Sequence, residues 1–312
     1  MKATIKLSIL TLGIAAAFGS PMVMAANDGD VYQNGRNNDA DINQYANRQT
    51  DAEISQVGKN NTGYIEQKYN NHTDAEISQV GKGNSGNIVQ TDNYRSDALI
   101  KVWKGNYDTS NIEQKSTENS SAKIWVRHGD GNENTIVQQR THDTNAVIST
   151  SGSNNTNNIN QTKVMHTNAT ITQASNSGVA NIEQSGLRGN WGANQTASID
   201  QFSGYYQDAN IVQQGRNLEA YIWQGGNSRH QSGNDAAINQ TGYGAKNIAT
   251  AYQYGSSNDS YTKQVGENLI ANVSQVGYNN TSYIQQTGSN HSSNVRMIGN
   301  NNSSTVIQSS YR

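Results

Sequence analysis

From residue 28 onward one pattern recurs: a small residue, any residue, a branched aliphatic, any residue, then Gln, often followed by x-Gly-x-x-Asn. Ala52-Glu53-Ile54-Ser55-Gln56-Val57-Gly58 and Ala75-Glu76-Ile77-Ser78-Gln79-Val80-Gly81 are clear copies. Ala271-Asn272-Val273-Ser274-Gln275-Val276-Gly277 and Ser282-Tyr283-Ile284-Gln285-Gln286-Thr287-Gly288 are late ones. The three key residues alternate with polar or charged ones, so they share one face of an extended chain. Period two is a strand signature and not a helical one. The aliphatic position steps by 11 or 12 residues from Val31, Ile42, Ile54 and Ile65 to Val295 and Val306, with longer steps only before Ile199, Ile238 and Ala251. That makes 24 units, with Gln two residues after the aliphatic in 20 of them; Val102, Val126, Thr150 and Met297 are the exceptions.

Gly and Asn after each strand supply a turn, because both tolerate positive φ. A unit therefore reads as one strand of about five residues and one tight turn. Two units return the chain to its start. The expected fold is all-β: a parallel β-solenoid of about twelve two-strand coils with cross-β stacking over residues 26–312. Equivalent residues would then lie about 4.8 Å apart along the axis. Ile54, Ile65, Ile77, Ile88, Ile211, Ile222, Val273 and Ile284 are assigned to apolar ladders. Gln56, Gln67, Gln79, Gln90, Gln213, Gln224, Gln275 and Gln286 are assigned to amide ladders, each donating to one neighbour and accepting from the other. Such a ladder satisfies a buried amide whose isolation would cost about 1–3 kcal/mol.

Composition sharpens this picture. After residue 25 there are 45 Asn and 27 Gln, about a quarter of the segment, against two Phe in the whole chain, no Cys and a mean hydropathy of −0.82. A conventional core of Leu and Phe cannot be built from this, and the unbroken register excludes simple disorder. The formal charge is −2, with no block of like charge, so neither nucleic acid nor an anionic membrane is expected as a partner. Residues 1–25 read as an export signal: Lys2 and Lys6, an apolar run from Leu7 to Phe18, Pro21, and a cleavage site after Ala25. That run is too short for a transmembrane segment, and none is expected elsewhere.

Catalytic, cofactor and metal sites are not expected. There is no Cys nucleophile, and His72, His128, His142, His166, His230 and His291 are scattered without metal-ligand spacing. Glu53 and Glu76 point outward in equivalent positions one coil apart. Lys104, His128, Arg140 and Lys163 stand where the best units have Gly. Tyr64, Trp103, Trp125, Tyr221, Trp223, Tyr261 and Tyr283 flank inward positions, and Gly186 to Asn194 and Gly225 to Asn234 read as longer loops. The repeat starts soon after Ala25, runs almost to Arg312 and contains no Pro, so both ends are expected to act as templates for further strands.

The unit resembles the curlin repeat, in which Ser-x5-Gln-x-Gly-x-x-Asn-x-Ala-x3-Gln recurs. Gln56-Val57-Gly58-Lys59-Asn60-Asn61, Gln79-Val80-Gly81-Lys82-Gly83-Asn84 and Gln275-Val276-Gly277-Tyr278-Asn279-Asn280 carry its Gln-x-Gly-x-x-Asn part. The resemblance covers residues 28–312, more coils than a familiar curlin has. It implies a subunit of curli, the extracellular amyloid fibres of bacterial adhesion and biofilm. The implied partners are further copies of the chain, a second curlin-like subunit, and an outer-membrane secretion pore with accessory proteins. Host or matrix surfaces are further possible partners. The competing expectation is a soluble monomeric β-solenoid that binds a surface as an adhesin.

Overall fold

The computed structural model of the chain describes residues 27–187, 191–226 and 233–310. The expected export signal and its cleavage site lie outside them, as do the middles of the two expected loops. Among the described residues the secondary structure is 21 β-strands, from Asp28–Arg36 to Ser303–Ser309, and no helix. Each strand pairs in parallel with the unit two along, which makes a β-solenoid of about twelve coils. Ala52, Ile54 and Gln56 lie opposite Ala75, Ile77 and Gln79, so like residues stack on like. Odd and even units form the two faces of the coil. Three strands, Glu133–Thr150, Thr156–Asn176 and Asp208–Gly225, run through a corner and hold two units each, joining the faces into one 21-stranded sheet.

The core is a slab one side chain deep on each face. Its centre is a pair of aliphatic columns in which Ile54, Ile65, Ile77, Ile88, Ile211, Ile222 and Ile284 are 0% exposed. Burying each such side chain contributes about 1.5–3 kcal/mol. Ala, or another small or polar residue such as Gly63, Ser110 or Asn134, stacks on the N-terminal side of the Ile, and in most units Gln stacks on the C-terminal side, both buried.

Strands are longer than the expected five residues, from 7 up to 21, because pairing continues into the corners. Gly58 shows how: it still pairs with Gly81, at φ 127°, and a Cβ on it would run into the Gly81 carbonyl oxygen. Only glycine lets two backbones approach this way. Lys104 and His128 do not replace that glycine. Gly81 pairs with Gly105 and Gly105 with Gly129, so the two residues are single-residue insertions, accommodated at φ 57° and 51°. Arg140 and Lys163 turn the opposite corner in the same left-handed region, as Tyr69 and Asp92 do three and two coils before Arg140.

Candidate functional site: two amide ladders

The stacking places every Gln of the even units directly beneath the next. Gln44, Gln67, Gln90, Gln114, Gln138, Gln161, Gln184, Gln213, Gln240, Gln264, Gln286 and Gln308 form one continuous chain of amides. Each Nε2 donates to the Oε1 of the next at 2.8–2.9 Å, always toward the C-terminus. The second Nε2 hydrogen usually reaches a backbone carbonyl, as Gln213 does to Thr196 at 3.0 Å. All but the last of these Gln are buried.

The odd units behave differently. Gln33 donates to Gln56 and Gln56 to Gln79, and Gln173, Gln201, Gln224, Gln253 and Gln275 form a second run. Between them lie Val102, Val126 and Thr150, stacked in register with Gln79 and Gln173. Gln79 accepts from Gln56, but its own Nε2 is buried without a partner, and so is Oε1 of Gln173. Met297 ends the second run above Gln275. All four residues that break the Gln rule thus fall on one face.

Asn builds a third ladder at the corner that ends the odd units. Asn61, Asn84, Asn132, Asn258 and Asn280 each donate through Nδ2 to the backbone carbonyl of a glycine one coil on, at 2.9–3.2 Å.

Two stretches, residues 51–81 and 266–296, match the family model of the curlin associated repeat. The chain carries curlin associated repeats. Each matched stretch contains a Gln-x-Gly-x-x-Asn corner, and its Gln and Asn take part in the ladders just described. No curated protein matches the chain. Repeat and fold together point to a structural protein of curli type.

The surface of this curlin-repeat chain carries features that unit-by-unit reading of the sequence missed. Asp28, Asp51, Asp74 and Asp97 stack in one outward column, and burial, followed by the neighbouring carboxylates, raises the pKa of Asp51 and Asp74. Asp208, Asp235 and Asp259 form another, with Asp208 and Asp235 raised chiefly by burial. Phe202, Trp223, Tyr252 and Tyr254 form an outer aromatic group in which Trp223 stacks on Tyr252 at 4.5 Å. At another corner Asp143 bridges His142 and His166 at 3.0 and 3.3 Å, beside Glu118. Tyr64 donates to Glu66 and Tyr221 to Asp200; burial first and these carboxylates second push both phenols up to about 12. Among the described residues no group of three or more His, Asp or Glu is placed to hold a metal ion, and no helix is long and apolar enough to cross a membrane.

The signals that would have found these features lie in the coil period and not in the unit. Asp108 is the sharpest case. It stands in the fourth position of Gly105-Asn106-Tyr107-Asp108, where the motif has Asn, and it is fully buried.

Proposed function

We propose that this curlin-repeat chain is an exported structural subunit that adds end to end, coil upon coil, into extracellular cross-β fibres for adhesion and biofilm matrix. The single observation that carries this reading is the even-unit Gln ladder. It runs in one register and one direction through all the described coils, and its edge strands keep the register. Val31 and Val306, on the first and last strands, are only half-buried, whereas the interior aliphatics are fully covered. A second copy docking in parallel would cover them and continue the ladder from Gln308 to Gln44 of the next subunit. Edge strands with unpaired backbone groups are templates for such addition. The partners in this reading are other copies of the chain and a second curlin-like subunit. Export through an outer-membrane pore precedes assembly, and no catalytic step is involved.

The test is assembly itself. Residues 26–312, diluted from denaturant, should give thioflavin-positive, sedimentable fibres after a lag, and preformed seeds should remove the lag. A folded monomer that stays soluble with seeds present rejects the reading and leaves the monomeric surface-binding solenoid in its place.

A further inference from the structure

Along the Asn corner ladder the amide Nδ2 faces a backbone carbonyl of the following coil. Asn84 donates to Gly105 at 2.9 Å and Asn132 to Gly152 at 2.9 Å. Asp108 lies between them in the stack. Its backbone N–H donates to Asn84 Oδ1 at 3.1 Å, and its Oδ1 accepts both the backbone N–H and Nδ2–H of Asn132 at 2.9 Å. One side of the carboxyl therefore does what an Asn carbonyl does elsewhere. The other oxygen, Oδ2, occupies the amide nitrogen's place, and it is buried with no hydrogen-bond partner. Gly105 pairs with Gly129, so the carbonyl offered to that place is that of Gly129. An ionised Oδ2 sets acceptor against acceptor there, in a site without water access. A protonated one is a donor, as Nδ2 is in the neighbouring coils.

We propose that Asp108 is a proton-operated latch in the corner ladder: with Oδ2 protonated it donates to the Gly129 carbonyl and locks its coil to the next, and ionised it leaves that junction loosened. The latch makes folding of this segment, and any assembly that depends on it, favoured in mildly acidic surroundings and resisted above neutrality. The electrostatics agree. Burial pushes the carboxyl from 3.8 up to about 6, the Asn132 hydrogen bonds oppose this, and the Asp130 charge adds to it. The other titratable groups on the three stacked corners are Lys82 on the preceding coil, Lys104 and Tyr107 on its own, and His128 and Glu133 on the following one. Lys82 lies over the Tyr107 ring and Lys104 over Trp103. Because the folded pKa is raised, the contribution is fully present below about pH 4 and is lost as pH rises through about 6.

The latch concerns folding, so its test does not depend on fibres. Residues 26–312, wild type and Asp108→Asn, are unfolded in guanidinium and followed by β-sheet circular dichroism at pH 4.5, 6 and 7.5, in whatever folded form they adopt. The wild-type folding equilibrium should weaken by roughly twenty- to thirtyfold from this group between the extremes. Asp108→Asn should match wild type at pH 4.5, exceed it at pH 7.5, and lose that part of the pH dependence. Asp130→Asn should retain most of it. A 13Cγ NMR titration of Asp108 in the folded chain should show a midpoint well above the ordinary carboxylate value. The proposal is overturned if the two unfolding profiles run parallel in pH, if Asp108→Asn fails to fold, or if the 13Cγ midpoint is ordinary.

Discussion

Within a single coil the decisive choice is an amide where a globular protein would place another aliphatic. Gln138 accepts from Gln114 at 2.8 Å and donates to Gln161 at 2.8 Å, with Thr144 Oγ1 at 3.1 Å, and it is 0% exposed. Gln138→Ala removes one ladder member, opens a small cavity, and leaves the Gln161 oxygen without its donor. Loss of about 2–4 kcal/mol is expected from denaturant unfolding. Glu53→Ala, on the outward face, should change stability by less than about 0.5 kcal/mol. Equal losses at the two sites would count against inward ladders as the main polar support. The outward aspartates give the opposite sign. Asp74 has its pKa raised by burial first and by Asp97 second, so its ionisation weakens the fold. That stability is present in acid and is lost as pH rises beyond the ordinary carboxylate range. Asp74→Asn should therefore stabilise at pH 7 and do nothing at pH 3, as read from unfolding midpoints at the two pH values.

The strand shows what a local pattern can and cannot disclose. Small, aliphatic and Gln at period two define the inward face, and the 11- or 12-residue step defines the coil, so strand, turn, parallel register and coil number all follow from neighbouring residues. Trp223 and Tyr252 meet across 29 residues because an insertion separates them, and His142 meets His166 only because a coil intervenes. Such contacts depend on the full coil length, including its irregular steps, which unit-by-unit reading does not carry. The ladder gap is of the same kind: Val102, Val126 and Thr150 look like scattered exceptions until alternate units are stacked. The gap leaves Gln79 Nε2 and Gln173 Oε1 unpartnered, and this makes its repair cooperative. Val126→Gln alone inserts an amide between apolar and hydroxyl neighbours and should cost about 1–3 kcal/mol. Val102→Gln, Val126→Gln and Thr150→Gln together close the ladder and should cost less than Val126→Gln alone, a non-additivity that denaturant unfolding of the single and triple variants would reveal. Strictly additive losses would mean that the amides do not act as a chain.

Across the whole molecule the ladders share one direction. Every Gln-to-Gln hydrogen bond of the ladders is donated toward the C-terminus, and all strands run in parallel, so the stack has two chemically different ends. The first described coil presents the carbonyl oxygens of Gln33 and Gln44. The last presents the Gln308 Nε2, which among the described residues reaches the Ser292 carbonyl at 3.1 Å. The charges differ as well: the Asp28–Arg36 and Asp39–Tyr45 strands carry Asp28, Asp30, Asp39 and Asp41 against Arg36, whereas Ser292–Asn300 and Ser303–Ser309 carry Arg296 alone. A head-to-tail joint brings donor to acceptor and Arg296 toward the acidic coil. A head-to-head joint sets acceptor against acceptor and acid against acid, and it makes the strands antiparallel, out of the Ile and Gln register. Fibres of this chain should therefore be polar throughout and elongate at unequal rates at their two ends. Seeds labelled in one colour and extended with monomer in a second should show long extensions on one side only. Adding salt should slow growth, because it screens the joint. Equal growth at both ends, or seeds joined at their like ends, would contradict a stack that adds subunits through a directional ladder.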